Sequence, residues 1–148
     1  MKQVLKIEKK VRVRFNEVDS MGIVWHGSYV AYFEDAREEF GRAYGLDYLS
    51  IVAQGYYVPL VNIDFSFKNP LTYGDSAIVE IGYIPCIAAK ILFSYRIWLA
   101  EKRKVIATGS SVQIFLNSSR ELVLYPPEFY VRWQKQNNVY ISESEHDL

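Results

Sequence analysis

The chain has 148 residues, enough for one ordinary domain that buries most of the surface its unfolded form exposes. Hydrophobic residues make up 50% of it and charged residues 23%, a balance that sets aside both disorder and a membrane protein. Seventeen basic residues offset 17 acidic ones, so no long-range field favours nucleic acid or an anionic membrane, and any recognition of phosphate has to be local.

The single Cys86 cannot form an internal disulfide, and the segment MKQVLKIEKKVRVRF alternates with charges where a secretory signal would need an apolar run. The cytoplasm is therefore the expected compartment. No stretch approaches the ~18 to 20 uninterrupted apolar residues needed to span a bilayer, so membrane insertion is not expected. There is no repeat, low-complexity tract or Gly/Ser-rich linker, and residues 1–148 read as a single domain.

In chain order, KKVRVRFNEVD alternates, with Val11, Val13 and Phe15 on one face and Arg12, Arg14 and Asn16 on the other, which predicts a half-buried strand. A turn follows at Asp19 to Gly22. From Tyr29, the positions Tyr32, Phe33, Ala36, Phe40, Ala43 and Tyr44 recur at three- and four-residue intervals, with Glu34, Asp35, Arg37, Glu38, Glu39 and Arg42 opposite. This predicts a helix of about four turns, with Ser28 as N-cap and Gly45 closing its C-terminus. A short helical piece is expected near Leu46 to Gln54.

Four strand-like segments come next: YYVPLVNIDFSFKN, SAIVEIGYI after the turn PLTYGD, KILFSYRIWLAE after PCIAA, and KVIATGSSVQIFLN after the charged turn EKRK. Short connections predict that these four run as a mainly antiparallel meander, joined by the first strand after the helical excursion. The long helix then has one obvious burial site, the concave apolar face of a curved sheet, which makes the expected class α+β. YPPEFYVRWQKQ can start a further short helix at its prolines, and a flexible polar tail is expected near 138–148.

One stretch is denser in chemistry than its surroundings. Asp19, Gly22, Ile23, Val24, Trp25, His26, Ser28 and Tyr29 fill the order D-x-x-G-[IV]-V-[aromatic]-H-x-[SN]-Y, followed by the helix sequence YFEDAREEF. This resembles the hot-dog-fold acyl-CoA thioesterases of the 4-hydroxybenzoyl-CoA thioesterase and YbgC-like group, and FSFKNPLTYGDSAIVE is similar to a later part of the same family pattern. The chain departs from it at Glu17-Val18-Asp19, where the family often has Asp-Thr-Asp, and at Ser20-Met21, where smaller residues or proline are common. The resemblance implies a single hot-dog domain, with a curved antiparallel five-stranded sheet wrapped around a long central helix. It also implies hydrolysis of an acyl-CoA thioester, with an acyl carrier protein thioester as another candidate substrate. Family active sites lie at subunit interfaces, so a homodimer or homotetramer is expected.

A thioester carbonyl needs an attacking oxygen and a place for charge to develop on its own oxygen. Asp19 can attack directly to form a mixed anhydride, or can take a proton from water. Taken alone, an aspartate before a glycine turn reads equally as a turn-former, and the resemblance is what assigns it catalysis. The segment entering the helix offers unpaired backbone N–H groups and the positive end of the dipole, with the amides near His26 and Gly27 as oxyanion candidates.

The His26 side chain could orient the thioester or a water, or serve as an ordinary structural histidine. Gly27 would leave room for close substrate approach. Gly22, Trp25 and Tyr29 are further substrate-contact candidates within the motif, although the spacing of Tyr29 also suits a core residue. Lys68 and Lys90, at strand ends, are candidates for CoA phosphates.

Two distant histidines and one cysteine give no metal-ligand spacing, and neither a P-loop nor a G-x-G-x-x-G run is present, so no metal or bound cofactor is expected. Ser110-Ser111 has no histidine near it in sequence, which disfavours a serine hydrolase. Two other readings remain open from the residues: a noncatalytic acyl-thioester-binding module, and hydration of an enoyl thioester, for which no paired Asp-His motif is seen.

Overall fold

The structure, a computed structural model, describes residues 4–142. The first strand, β1 (Lys6–Arg12), is followed by a 3-10 turn at Phe15–Glu17, the long helix α1 (His26–Tyr44) and the short helix α2 (Tyr48–Ala53). Strands β2 (Tyr56–Tyr57), β3 (Leu60–Phe67), β4 (Ser76–Ile84), β5 (Lys90–Leu99), β6 (Val105–Ile114) and β7 (Leu116–Asn117) then lead to helix α3 (Glu128–Gln136). Part of the expected 138–148 tail, residues 143–148, lies outside the described residues.

The main sheet has five strands in the order β1-β4-β5-β6-β3, all antiparallel, and β2 pairs with β7 in a separate two-stranded ribbon. This is the expected α+β class with a different strand order. Only β4, β5 and β6 form a meander. The chain crosses from β3 to β4, which puts β3 beside β6, opposite the edge held by β1. Connection length alone did not reveal this, because the ten-residue strands β5 and β6 give β3 a long partner in β6.

The period-2 pattern of β5 decides which side of the sheet is filled. Ile91, Phe93, Tyr95 and Ile97 turn inward with Val79, Ile81 and Tyr83 of β4, and α1 lays Tyr29, Tyr32, Phe33, Ala36 and Phe40 against them. Phe33 stacks on Tyr95 with ring centroids 4.5 Å apart, and Phe40 meets Phe93 edge-on at 4.9 Å. Each such ring stabilises by roughly 2 to 3 kcal/mol through burial alone. Gly45 ends α1 in the left-handed region at φ 73°, as expected for a helix stop.

Three local expectations are corrected. The first strand stops at Arg12 rather than running to residue 19, because Glu17 Oε1 accepts the Arg14 N–H at 2.7 Å and closes a tight turn. Phe15, expected to face inward, is 79% exposed, whereas Val13 is buried as its alternation required. The helix begins at His26, two residues before Ser28, with Trp25 as N-cap. The Ser28 hydroxyl instead donates to the Glu17 carbonyl at 3.3 Å, tying the first turn of α1 to the preceding loop. Among the described residues, no helix is long and apolar enough to cross a membrane.

Candidate active site

Asp19 sits on a tight loop between two paired residues, Val18 and Val24. Its backbone N–H donates to the Ile23 carbonyl at 2.8 Å, and its carbonyl accepts from Gly22 at 3.0 Å. The turn needs a left-handed residue, which Gly22 supplies at φ +74°. The Asp19 side chain folds over the same loop, where Oδ1 accepts the N–H groups of Met21 at 2.8 Å and Ile23 at 3.3 Å. One carboxylate oxygen is thus spent on the turn. Among the described residues, no hydrogen bond engages the other, Oδ2, and the residue is exposed.

Behind the loop stands an anchor that the sequence reading did not identify. Glu17 Oε1 accepts both the Arg14 N–H and the Tyr32 hydroxyl, the latter at 2.9 Å, so the acid that replaces the family's first aspartate binds the loop to α1. Burial, and then the Glu17 carboxylate beside it, raise the Tyr32 pKa well above its ordinary value. Tyr32 therefore stays a neutral donor to Glu17.

A cleft of about 400 Å³ opens beside Asp19, bounded by Trp25, His26 and Tyr29 on the helix side and by Phe67, Lys68, Asn69 and Pro70 on the other. His26 and Gly27, at the very start of α1, have no intrahelical acceptor for their N–H groups. Tyr29 packs on Phe67 with centroids 5.1 Å apart, and burial raises its phenol pKa. The opposite wall is pinned to β6: Lys68 and Asn69 donate their N–H groups to the Ile106 carbonyl, and the Asn69 side chain donates to the Val105 carbonyl at 2.7 Å. Phe67, Asn69 and Pro70 were not singled out from sequence, although the Asn-Pro pair closing a strand was a visible signal.

The expected site residues are not all brought together. Asp19, Trp25, His26, Tyr29 and Lys68 line the cleft. Gly22 shapes the loop. A Cβ on Gly27 would fall 1.9 Å from Cζ3 of Trp25, so the space expected for substrate there is occupied by the indole folded onto the helix start. Lys90 pairs with Ile114, while Phe67 and Ile97 both pair with Ala107. Seven residues of β5, about 23 Å, therefore separate Lys90 from the end of the sheet that bears the cleft.

Residues 13–133 match the family described as Thioesterase-like superfamily. YneP of Bacillus subtilis (strain 168), which carries a provisional acyl-CoA thioesterase name, is 28% identical over 131 residues, covering 86% of this chain and 95% of YneP. The acyl-CoA thioester hydrolase YbgC of Escherichia coli is 26% identical over 91 residues, 62% of this chain and 68% of YbgC. The crystal structure of Slr0204, a 1,4-dihydroxy-2-naphthoyl-CoA thioesterase from Synechocystis, shares the fold with a TM-score of 0.74 at 20% identity, over 82% of this chain and 90% of that one.

Proposed function

The chain belongs to the thioesterase-like superfamily, and from that premise we propose that it hydrolyses an acyl-CoA thioester to a free acid and a thiol, with Asp19 as the attacking or water-activating group. One observation carries the residue assignment: Asp19 lines the cleft that the start of α1 enters, with Oδ1 held by two loop amides and Oδ2 without a hydrogen bond among the described residues. A carboxylate held this way gives up no further orientational freedom when it meets a carbonyl carbon.

In the first step Oδ2, or a water from which it takes a proton, adds to the thioester carbon, and negative charge passes to the carbonyl oxygen. The N–H groups of His26 and Gly27, reinforced by the helix dipole, receive that charge. Collapse breaks the C–S bond, and the thiolate leaves to take up a proton. On the direct route, water then cleaves the mixed anhydride and restores Asp19. The His26 ring, 4.9 Å from the Trp25 indole, orients the thioester or the water at the mouth.

The enzyme acts as a homo-oligomer in this reading. Trp25 and Phe67, which line the cleft, are 55% and 51% exposed, and Met21 on the Asp19 loop is 76% exposed, large apolar side chains that a second subunit would cover. The edge strand β3 ends at Phe67, so a partner reaching that edge would also reach the site. The lone Cys86 and the absence of a disulfide framework accord with a cytoplasmic setting.

The test is release of free thiol from a panel of short-chain, long-chain and aryl acyl-CoA thioesters. Turnover of at least one of them is expected. Tight binding across the panel without thiol release would overturn hydrolysis in favour of a binding module.

A further inference from the structure

The hydrolytic reading leaves one charged feature unused. A second cleft, about 580 Å³, lies on the far side of the catalytic loop, against β1. Lys9, Lys10, Arg12 and Arg14 line it, in a chain whose net charge is zero. Neighbouring residues can line one hollow because β1 is an edge strand, where long side chains from both faces are able to wrap round the open side. None of the four is in an ion pair among the described residues. Of the two carboxylates in the cleft, Glu17 and Asp35, the first is already engaged by Arg14 N–H and the Tyr32 hydroxyl.

The same hollow has an aromatic wall. Phe15 and Tyr73 meet edge-to-face with centroids 5.9 Å apart, and both are largely exposed at 79% and 60%, so core packing does not account for them. Lysines on an edge strand also discourage pairing with other sheets, but that role requires neither arginines around a hollow nor an aromatic pair beside them. Cations next to an exposed aromatic platform suit a ligand that joins phosphates to a flat base.

The aromatic wall is fastened to the catalytic loop. Tyr73 N–H donates to the Gly22 carbonyl at 2.9 Å, and Ile23 pairs with Thr72. Tyr32, in the basic cleft, touches Tyr29, in the catalytic cleft, with centroids 6.0 Å apart. The two hollows are therefore neighbours across one loop.

We infer that the basic cleft on β1 holds the phosphorylated nucleotide end of the thioester substrate, with Arg12 and Arg14 on the phosphates and Phe15 and Tyr73 against the base, while the acyl end reaches Asp19 across the loop. This rests on the acyl-CoA reading, and it replaces Lys90 as the source of phosphate contacts. It also favours CoA over an acyl carrier protein, which brings no nucleotide base to an aromatic wall.

The experiment compares the parent with Arg12→Glu/Arg14→Glu on an acyl-CoA and on the matching N-acetylcysteamine thioester, which lacks phosphates and base. The ratio of kcat/KM for the CoA substrate to that for the truncated one is expected to fall at least about tenfold, mostly through KM, as suits the loss of charge-assisted contacts. Calorimetric binding of CoA and of 3′,5′-ADP should weaken in parallel. An unchanged ratio with unchanged CoA binding would overturn the inference.

If the parent cleaves no thioester, the hydrolytic reading fails separately, and calorimetry still decides the cleft: CoA binding lost in the variant supports it, and binding retained overturns it. Arg12→Gln/Arg14→Gln, read the same way, serves if charge reversal disturbs folding.

Discussion

The proposed mechanism gives Asp19 two jobs, holding the turn and attacking the thioester, that one substitution can separate. Asp19→Asn keeps an Oδ1 that still accepts from Met21 and Ile23, so the loop should persist while the anionic oxygen is lost. Turnover is expected to drop at least ~100-fold with thioester binding retained, measured by thiol release beside calorimetry. Activity within a few-fold of the parent in an intact protein would make Asp19 a turn residue only. Gly27 makes a different prediction from the one its sequence position suggested. Gly27→Ala puts a methyl into the Trp25 indole, a half-exposed side chain with solvent on one side to move into, so stability should change by no more than about 1 kcal/mol. The readout is a shift in tryptophan emission that disappears when Trp25→Phe is made first. Asp19, Trp25 and His26 were legible because they sit in one unbroken motif. The anchoring by Glu17 and Tyr32 was not, since it joins residues fifteen apart through a helix whose start the pattern put three residues late.

Phe33 of α1 lies over Gly109 of β6 with no room to spare. A Cβ on Gly109 would meet the Asp64 carbonyl oxygen at 2.7 Å and the rings of Phe33 and Phe65 at 3.1 and 3.2 Å. The first is backbone and cannot step aside cheaply. Gly109→Ala should therefore destabilise the protein by about 1 to 3 kcal/mol, read from the denaturation midpoint at constant m-value. It should also loosen the β3 edge that leads into Phe67. The identity of each long strand was readable from alternation, and α1 from its three- and four-residue spacing. The neighbour of β3 was not, because β3 can bury the same inward face beside either β4 or β6.

Assembly and alkaline stability are properties of the molecule as a whole. Light scattering at working concentration should report a dimer or larger, since the exposed apolar group around the cleft and the open β3 edge both call for a cover. A monomer with full activity would refute this. The phenols of Tyr29, Tyr32, Tyr83 and Tyr130 all have raised pKa values, chiefly through burial. Above pH ~10 the unfolded chain releases these protons while the folded one keeps them. Their contribution is thus complete below pH ~10 and is lost as pH rises through the folded values. A lower urea midpoint at pH 11 than at pH 8, with part of the phenolate absorbance at 295 nm appearing only on unfolding, is the expected result. Equal midpoints would mean that the tyrosines, including the hydrogen-bonded Tyr83–Tyr130 pair to which Gln134 donates, ionise without unfolding.

Local pattern was sufficient for the α+β class, the long helix ending at Gly45, the five strands of the main sheet and the acid-to-helix motif. Each depends on side-chain period or turn chemistry within a short window, where neighbouring residues alone set the energy. The crossing from β3 to β4, the separation of Lys68 from Lys90, the indole filling the space at Gly27 and the meeting of β1 cations with Phe15 and Tyr73 had to wait for the folded chain. These features turn on which sheet edges pair and which loops land on one another. Contacts between residues far apart in sequence set those choices, and no window of local periodicity contains both partners.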